Sequence, residues 1–240
     1  MGLVREESRP MPSDLRLISS MATRHLLAAL AAAHEQAGGP ATRIESVGGV
    51  DAAQRVQAGE AFDLVVLAAG AIAKLDAAGR LRPGSIRPLA DSTVAIAVRA
   101  GSPAPDVGSE PALKAAVLQA RAIGYSTGPS GTALMELFAR WGVADALQSR
   151  LVQARPGVPV GSLIANGEVD LGFQQLSELM DLPGITLLGG MPPGTEIVSR
   201  FSGAVTAAAA QPAEAQALLD FMTSPAANDT KRQHGMQAAR

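Results

Sequence analysis

Short apolar segments alternate with amphipathic helical segments along this chain, and that alternation limits the folds open to it. In the first third, the apolar segments and the helical segments that follow them are 15–19 with 21–36, 41–46 with 51–58, and 62–68 with 71–78. Strands that alternate with helices pack as right-handed βαβ units with parallel strands. The pattern therefore predicts an α/β fold with mostly parallel sheets flanked by helices.

A second α/β series follows a stretch at 81–91 that contains Pro and Gly and that we expect to be irregular. Its predicted helices and strands are 111–119, 122–126, 132–141, 151–154, 160–166, 170–174 and 185–188. Two long apolar strands, 93–100 and 196–207, bracket this series, and helices at 212–222 and 226–234 close the chain. We expect the long strands to join two lobes as a hinge, with residues 11–95 and 200–240 in lobe 1 and residues 96–199 in lobe 2.

Charge and residue usage exclude several classes of partner. The formal net charge is −2, so no overall positive field favours nucleic acid or an anionic membrane. Cysteine is absent, and the three histidines, His25, His34 and His234, are far apart in the sequence. A metal site therefore has no support, and we expect no cofactor.

The N-terminus bears on where the protein works. No segment reaches the roughly 18 apolar residues of a membrane span, so we expect no membrane insertion. Residues 1–14 read MGLVREESRPMPSD, which lacks the apolar stretch of a secretory signal. The expectation is a cytoplasmic protein as written, or a periplasmic one if a signal has been replaced and Met11 is the natural start.

The loops that follow the predicted strands are the candidate site, because ligands of open α/β sheets bind at the carboxyl ends of strands. These loops are 19–23, 48–51, 126–131, 156–160 and 173–175, and they are rich in hydroxyl, amide and glycine residues. Most of them open a helix, where free N–H groups and the helix dipole favour anions. Taken singly, each is equally typical of ordinary helix caps and turns. Several converging from two lobes favour an anion site.

Four stretches resemble the molybdate-binding periplasmic proteins, which have the type II periplasmic binding-protein fold. They are 50–69, 126–147, 158–173 and 217–235, and the patterns GEAFDLVVLA and NGEVDLGF within them are fairly specific. The resemblance extends in order over residues 14–236. It implies two lobes, each a sheet flanked by helices, that close on a ligand.

The resemblance also implies a set of ligand-binding positions. That family holds its oxyanion with hydroxyls and backbone N–H groups at helix starts and with one tyrosine hydroxyl. The matching positions here are Ser20 or Thr23, Gly49 or Val50, Ser130, Val158 and Gln175. Neither Gly49, Val50 nor Gln175 carries the hydroxyl of the family. Their loop neighbours Ser19, Ser126, Gly131, Thr132 and Gln174 complete the candidate set.

The substitutions favour an organic carboxylate over a tetrahedral oxyanion. The amides of Gln174 and Gln175 are planar, and arginine forks, from Arg24, Arg155 or Arg200, bind carboxylates in bidentate fashion. The first hypothesis is a receptor for a small anion resembling those of ABC importers, with a permease as partner if it is exported. A ligand-sensing regulatory domain has less support, because no helix-turn-helix is attached.

The alternative is a cytoplasmic isomerase of a di- or tricarboxylic acid, because some relatives of these binding proteins resemble an aconitate isomerase. Such an enzyme moves a double bond by proton transfer and needs a base. Asp51 and His25 are the candidate bases, although each also fits an ordinary place on a helix. For the loop at 126–131, we expect bulk at Gly131 to block the ligand.

Overall fold

The computed structural model describes residues 14–239, and it shows the predicted alternation of strands and helices. The strands are β1 Leu15–Ser20, β2 Thr42–Val47, β3 Leu64–Ala68, β4 Arg87–Arg99, β5 Ile123–Tyr125, β6 Leu151–Gln153, β7 Leu171–Gln175, β8 Ile185–Gly190, β9 Val198–Val205 and β10 Met236–Ala238. The α-helices are α1 Arg24–Gln36, α2 Gly49–Gln57, α3 Ala69–Ala77, α4 Glu110–Gln119, α5 Pro129–Arg140, α6 Ala144–Leu147, α7 Val160–Ala165, α8 Leu176–Leu179, α9 Pro212–Thr223 and α10 Asn228–Gln233. A 3-10 turn, Met21–Thr23, links β1 to α1.

The strand β4 belongs to two sheets. Its first half pairs antiparallel with β9, which continues the order β2-β1-β3-β9-β4, and with β10. Its second half pairs antiparallel with β7 and β8, and β5 and β6 extend that sheet beyond β7. In each sheet, three strands that lead into helices or loops of the site region run parallel to one another. They are β2, β1 and β3 in the first sheet and β7, β5 and β6 in the second. Each sheet is therefore mixed rather than mostly parallel, because the strands that link the lobes run antiparallel.

Buried side chains form separate cores on the two sides of this linkage. One pair of clusters draws on residues up to Ala90 and from Phe201 onward. The other pair draws on residues between Val94 and Ile197. This separation supports the proposed division into lobes at 11–95 with 200–240 and at 96–199, of which residues 11–13 and 240 lie outside the described part.

The lobes approach each other closely at two places. Ser177 Oγ, at the start of α8, donates a hydrogen bond to the carbonyl oxygen of Ala22 at 2.9 Å. A Cβ placed on Gly48 would lie 3.6 Å from Cβ of Pro156. Among residues 14–239, no helix is long and apolar enough to cross a membrane.

Several element boundaries differ from the prediction. The expected irregular stretch ends early, because β4 begins at Arg87 and Pro88 is tolerated where the β4–β9 register shifts. The helix expected from 132 begins at Pro129, since proline suits the first helical position. The short elements α8 and β10 have too few residues for a periodic pattern and were missed.

Candidate functional site

A cavity of about 710 Å³ lies between the lobes, at the carboxyl ends of the parallel strands. All five predicted loops contribute to its wall. The predicted residues that line it are Ser20, Gly49, Val50, Asp51, Ser126, Ser130, Arg155, Val158, Gln174 and Gln175. The α/β topology brings them together because β1, β2, β5, β6 and β7 each lead into a loop or helix start at this edge.

Two buried polar atoms in the wall lack a partner among the described residues. Ser20 and Gln175 are 8% and 4% exposed, and neither Ser20 Oγ nor Gln175 Oε1 makes a hydrogen bond. The other end of the Gln175 amide donates to Ser199 Oγ at 2.8 Å, which fixes the orientation of the side chain. A buried polar atom without a partner costs free energy. The Ser20 hydroxyl can donate to an acceptor group of a ligand, whereas Gln175 Oε1 accepts only and needs a donor group, such as a hydroxyl or a protonated carboxyl.

The start of α5 presents backbone donors to the same cavity. Gly128 has a φ of 98°, a left-handed conformation that glycine adopts without strain, and it turns the chain into the helix. Pro129 has no N–H, so the first free donors of the helix come from the residues after it. The hydroxyls of Ser126 and Ser130 lie 2.9 Å apart and hold this turn together. Hydroxyls and helix dipole together favour an anion here.

Gln174 lines the cavity, but its side-chain oxygen already accepts a hydrogen bond within the protein. Its Oε1 accepts a hydrogen bond of 2.7 Å from the backbone N–H of Val160, the first residue of α7. This bond satisfies one of the free donors at that helix start. Gln174 therefore positions α7, and Gln175 is the glutamine with a free acceptor.

Glu178, which the sequence analysis missed, brings a titratable carboxyl to the cavity wall. It lies on α8, directly after β7, and is only partly exposed. Desolvation raises its pKa to about 7, while the charge of Arg24 and a hydrogen bond from Gln174 act to lower it. A carboxyl with this pKa exchanges protons near neutral pH, as general acid–base catalysis requires.

The remaining charges of the wall are at its rim. Lys74 and Arg155 are exposed cations, and Asp51 is an exposed carboxylate. None of the three makes an ion pair or a side-chain hydrogen bond with the described residues. With Glu178 protonated, the wall carries a net positive charge, which favours an anionic ligand.

Several predicted residues do not line the cavity, and local structure explains each case. Ser19 Oγ lies 2.9 Å from Ser46 Oγ, within the first sheet, and Thr23 Oγ1 donates to the carbonyl of Ser20. Thr132 is exposed and returns its hydroxyl to the carbonyl of Gly128. These three hydroxyls stabilise turns and strands rather than facing the cavity.

Gly131 faces the protein backbone and not the cavity. A Cβ at this position would lie 2.0 Å from the carbonyl oxygen of Ser126. Glycine is required because a side chain here would collide with the end of β5, so bulk at Gly131 would disturb the protein itself, and the expected contact of Gly131 with a ligand stays a prediction. Ser130, the residue before it, lines the cavity.

The candidate bases and the candidate arginines lie in different parts of the structure. His25 is outside the cavity wall, and burial, with the charges of Arg24 and His234, lowers its pKa. Arg200 forms two bonds, of 2.9 and 3.0 Å, to the carboxylate of Asp91. Arg24 is outside the cavity wall, and it donates to the carbonyl of Met21. Of the candidate base and fork residues, Asp51 and Arg155 line the cavity.

Besides Glu178, the wall residues outside the predicted loops include Lys74, Ser199 and Phe201. Lys74 sits a full turn into α3, and Ser199 and Phe201 lie on the linking strand β9, so no strand-end loop points to them. Glu178 could have been predicted as a wall residue, because it lies three residues after the end of β7.

Comparison with structures of known proteins confirms the resemblance. The molybdate-binding protein of Azotobacter vinelandii superposes with a TM-score of 0.79 at 22% identity, covering 95% of this chain and 100% of that one. The L-phospholactate-bound PEB3 of Campylobacter jejuni superposes with a TM-score of 0.73 at 14% identity, covering 94% of this chain and all of that one. At these identities the likeness establishes the fold.

A curated relative adds a closer sequence match. The aconitate isomerase of a Pseudomonas species is 36% identical over 171 residues, which are 71% of this chain and 65% of the relative. The match therefore spans just under two thirds of that enzyme. The model of the family described as bacterial extracellular solute-binding protein matches residues 15–237. That match takes in nearly all of the described chain, and the protein belongs to this family of bacterial extracellular solute-binding proteins.

Proposed function

We propose that the protein binds a small organic carboxylate between its two lobes and serves as the solute receptor of an importer. The proposal rests on one observation. A single cavity combines hydrogen-bond donors that suit an anion with a wall of mostly apolar residues. The donors are the Ser20 hydroxyl and the backbone N–H groups at the start of α5, and Val50, Leu67 and Phe201 are among the apolar residues.

The size of the cavity favours an organic anion over a tetrahedral oxyanion. A liquid water molecule takes up about 30 Å³, and a five-atom oxyanion is comparable to a few waters. The 710 Å³ here lie in the range of about 300–1,000 Å³ that is typical of sites for organic ligands. Val50 and Gln175 stand where the molybdate-binding family has hydroxyls, which removes donors suited to an oxyanion.

The family suggests the setting of this function. Solute-binding proteins of this family are extracellular by description, so we propose that the protein works in the periplasm and passes its ligand to an ABC permease. Closure of the lobes around a bound ligand is the conformational change that such a handover needs.

A calorimetric screen tests the proposal. Succinate, citrate, cis-aconitate and trans-aconitate, with molybdate and sulfate as comparison anions, are titrated into the protein, and melting temperatures are recorded in parallel. We expect at least one carboxylate to bind tenfold or more tightly than molybdate. Submicromolar molybdate binding with no response to any carboxylate would overturn the proposal.

A second function, isomerisation of an unsaturated carboxylic acid, is favoured by one specific observation. Glu178 places a carboxyl that titrates near neutral pH in the cavity wall, and the curated relative is an isomerase. The carboxylate would take a proton from one carbon of the substrate and return it to another, so no net proton or electron is consumed.

Proton NMR distinguishes this function from simple binding. The protein is incubated with trans-aconitate in D₂O, and the spectrum is followed for cis-aconitate and for deuterium in the substrate. We expect an isomerase to produce both and Glu178→Gln to produce neither, with the affinity for trans-aconitate within threefold of wild type. Binding without either signal assigns the protein to transport alone.

A further inference from the structure

Beyond the anion site, residues of α2 and α3 line a further part of the cavity, which we call the side arm. We define the side arm by Ala53 and Gln57 of α2 and by Gly70, Ala71, Lys74 and Leu75 of α3. The α2 positions from Val50 onward repeat at helical spacing, so one face of that helix lines the cavity. From Val50 to Gln57 the helix advances about 10 Å, at about 1.5 Å a residue.

The side arm is built from one lobe, and small residues keep it open. A Cβ added to Gly70 would meet no atom within 4 Å, and Gly70 has no left-handed φ that would demand glycine. The six residues that define the arm all belong to lobe 1, so the arm does not require a contact between the lobes.

The two ends of this space differ in chemistry. At the inner end lie Ser20 Oγ and Gln175 Oε1, both more than nine-tenths buried and without partners in the described chain. Lys74, which also lines the arm, forms no ion pair with any residue from 14 to 239. Such a space suits a molecule with a polar head, a hydrocarbon body and an acidic far end.

We propose that the ligand is an elongated organic diacid, whose first carboxylate binds at the helix starts and whose hydrocarbon body lies in the side arm with the second carboxylate at Lys74. This inference rests on the proposed carboxylate-binding function and goes further by naming the length and the second charge. An extended chain of about eight carbons fits the roughly 10 Å that α2 covers.

A chain-length series measures the side arm. Succinate, adipate, suberate and sebacate are titrated into the wild-type protein, with octanoate as a probe that lacks the second carboxylate. Affinity should rise about three- to fourfold for each added methylene up to suberate, because each buries apolar surface in the arm. Suberate should bind at least fivefold more tightly than octanoate.

Two variants locate the effect, and a third is the control. Gly70→Leu fills the arm and should weaken suberate tenfold or more while leaving succinate within twofold. Lys74→Gln should bring suberate to the affinity of octanoate. Ala73→Leu places the same side chain on the exposed face of α3, outside the cavity, and should leave both diacids unchanged.

The outcomes separate this inference from the function on which it rests. If succinate and citrate bind but affinity is flat with chain length in all variants, the side arm carries no ligand and only this inference falls. If no carboxylate in either screen binds to protein whose circular dichroism shows it folded, the proposed function falls as well. If Gly70→Leu and Ala73→Leu weaken the binding of suberate equally, the inference is also overturned, because the effect would then reflect damage to α3.

Discussion

At the scale of single residues, the burial of Glu178 makes a prediction about stability that needs no ligand. Its pKa is about 7 in the folded protein, against 4.5 in the unfolded chain. The folded state therefore holds the proton more tightly, and its contribution to stability is complete below pH 4.5. That contribution is lost as the pH rises to 7, by up to about 3 kcal/mol.

Glu178→Gln removes this titration. We expect the variant to match wild type at pH 4.5 and to be up to about 3 kcal/mol more stable at pH 8, measured by urea unfolding. The control Glu136→Gln changes an exposed glutamate of α5 and should show no such difference. Parallel stability curves for wild type and Glu178→Gln from pH 4.5 to 8 would contradict the elevated pKa.

Two helical glycines near the cavity make opposite predictions. Gly131→Ala should destabilise the fold by about 1–3 kcal/mol, because its Cβ would collide with the carbonyl of Ser126. Gly70→Ala meets open space and should be neutral or stabilising by up to about 1 kcal/mol, since alanine favours helix. Thermal unfolding of the two variants measures the contrast, and similar shifts in both would refute it. The sequence could not separate these glycines, because a glycine beside a helix start is equally suited to approach by backbone or by ligand.

At the scale of elements, the two sequence patterns that carry the family resemblance are structural. Asp63 of GEAFDLVVLA accepts hydrogen bonds from the backbone N–H groups of Arg16, Ala210 and Gln211, at 2.8 to 3.1 Å. It thereby ties the strand β1 to the start of α9. Asp170 of NGEVDLGF accepts from the N–H of Arg121 in the same way, next to β5. Each aspartate directly precedes a parallel strand of its lobe.

We expect Asp63→Ala to cost about 2–4 kcal/mol, because it leaves three backbone donors at a 5% exposed site without their acceptor. Asp76→Ala, on the exposed face of α3, should stay within about 0.5 kcal/mol. Urea unfolding measures both. A loss below 1 kcal/mol for Asp63→Ala would mean that water replaces the carboxylate.

Element patterns also explain how far the sequence could predict this site. The strand β3 is a continuous apolar run, and the ends of β1, β2, β5, β6 and β7 located the five loops of the cavity. The helix α8 has four residues and no period, so its Glu178 was not connected with the strand end before it. Lys74 and Phe201 reach the cavity through tertiary packing of α3 and β9, which no local pattern encodes.

At the scale of the whole molecule, the contact between Gly48 and Pro156 offers a way to hold the lobes together. Their Cβ positions would lie 3.6 Å apart, within the range of about 3.5–4.5 Å found in disulfides. Gly48 has φ of −57° and ψ of 137°, which any residue adopts, and the chain has no cysteine to compete. Gly48→Cys with Pro156→Cys should therefore form one disulfide, visible as loss of free thiol in a monomer.

Because this disulfide closes a loop of about 100 residues, the oxidised protein should be more stable than its reduced form by about 2–4 kcal/mol, less any strain.

The same disulfide tests whether ligands enter by separation of the lobes. In the oxidised double variant, suberate or whichever carboxylate binds best should associate and dissociate at least tenfold more slowly than in the reduced form, because the cavity cannot open. Stopped-flow measurement before and after reduction gives both rates, and Gly48→Cys alone controls for the loss of glycine. If exchange is equally fast in protein shown by thiol titration to be fully oxidised, ligands reach the cavity without lobe separation. The side arm between α2 and α3, whose outer end lies at exposed Lys74, would then be the entrance.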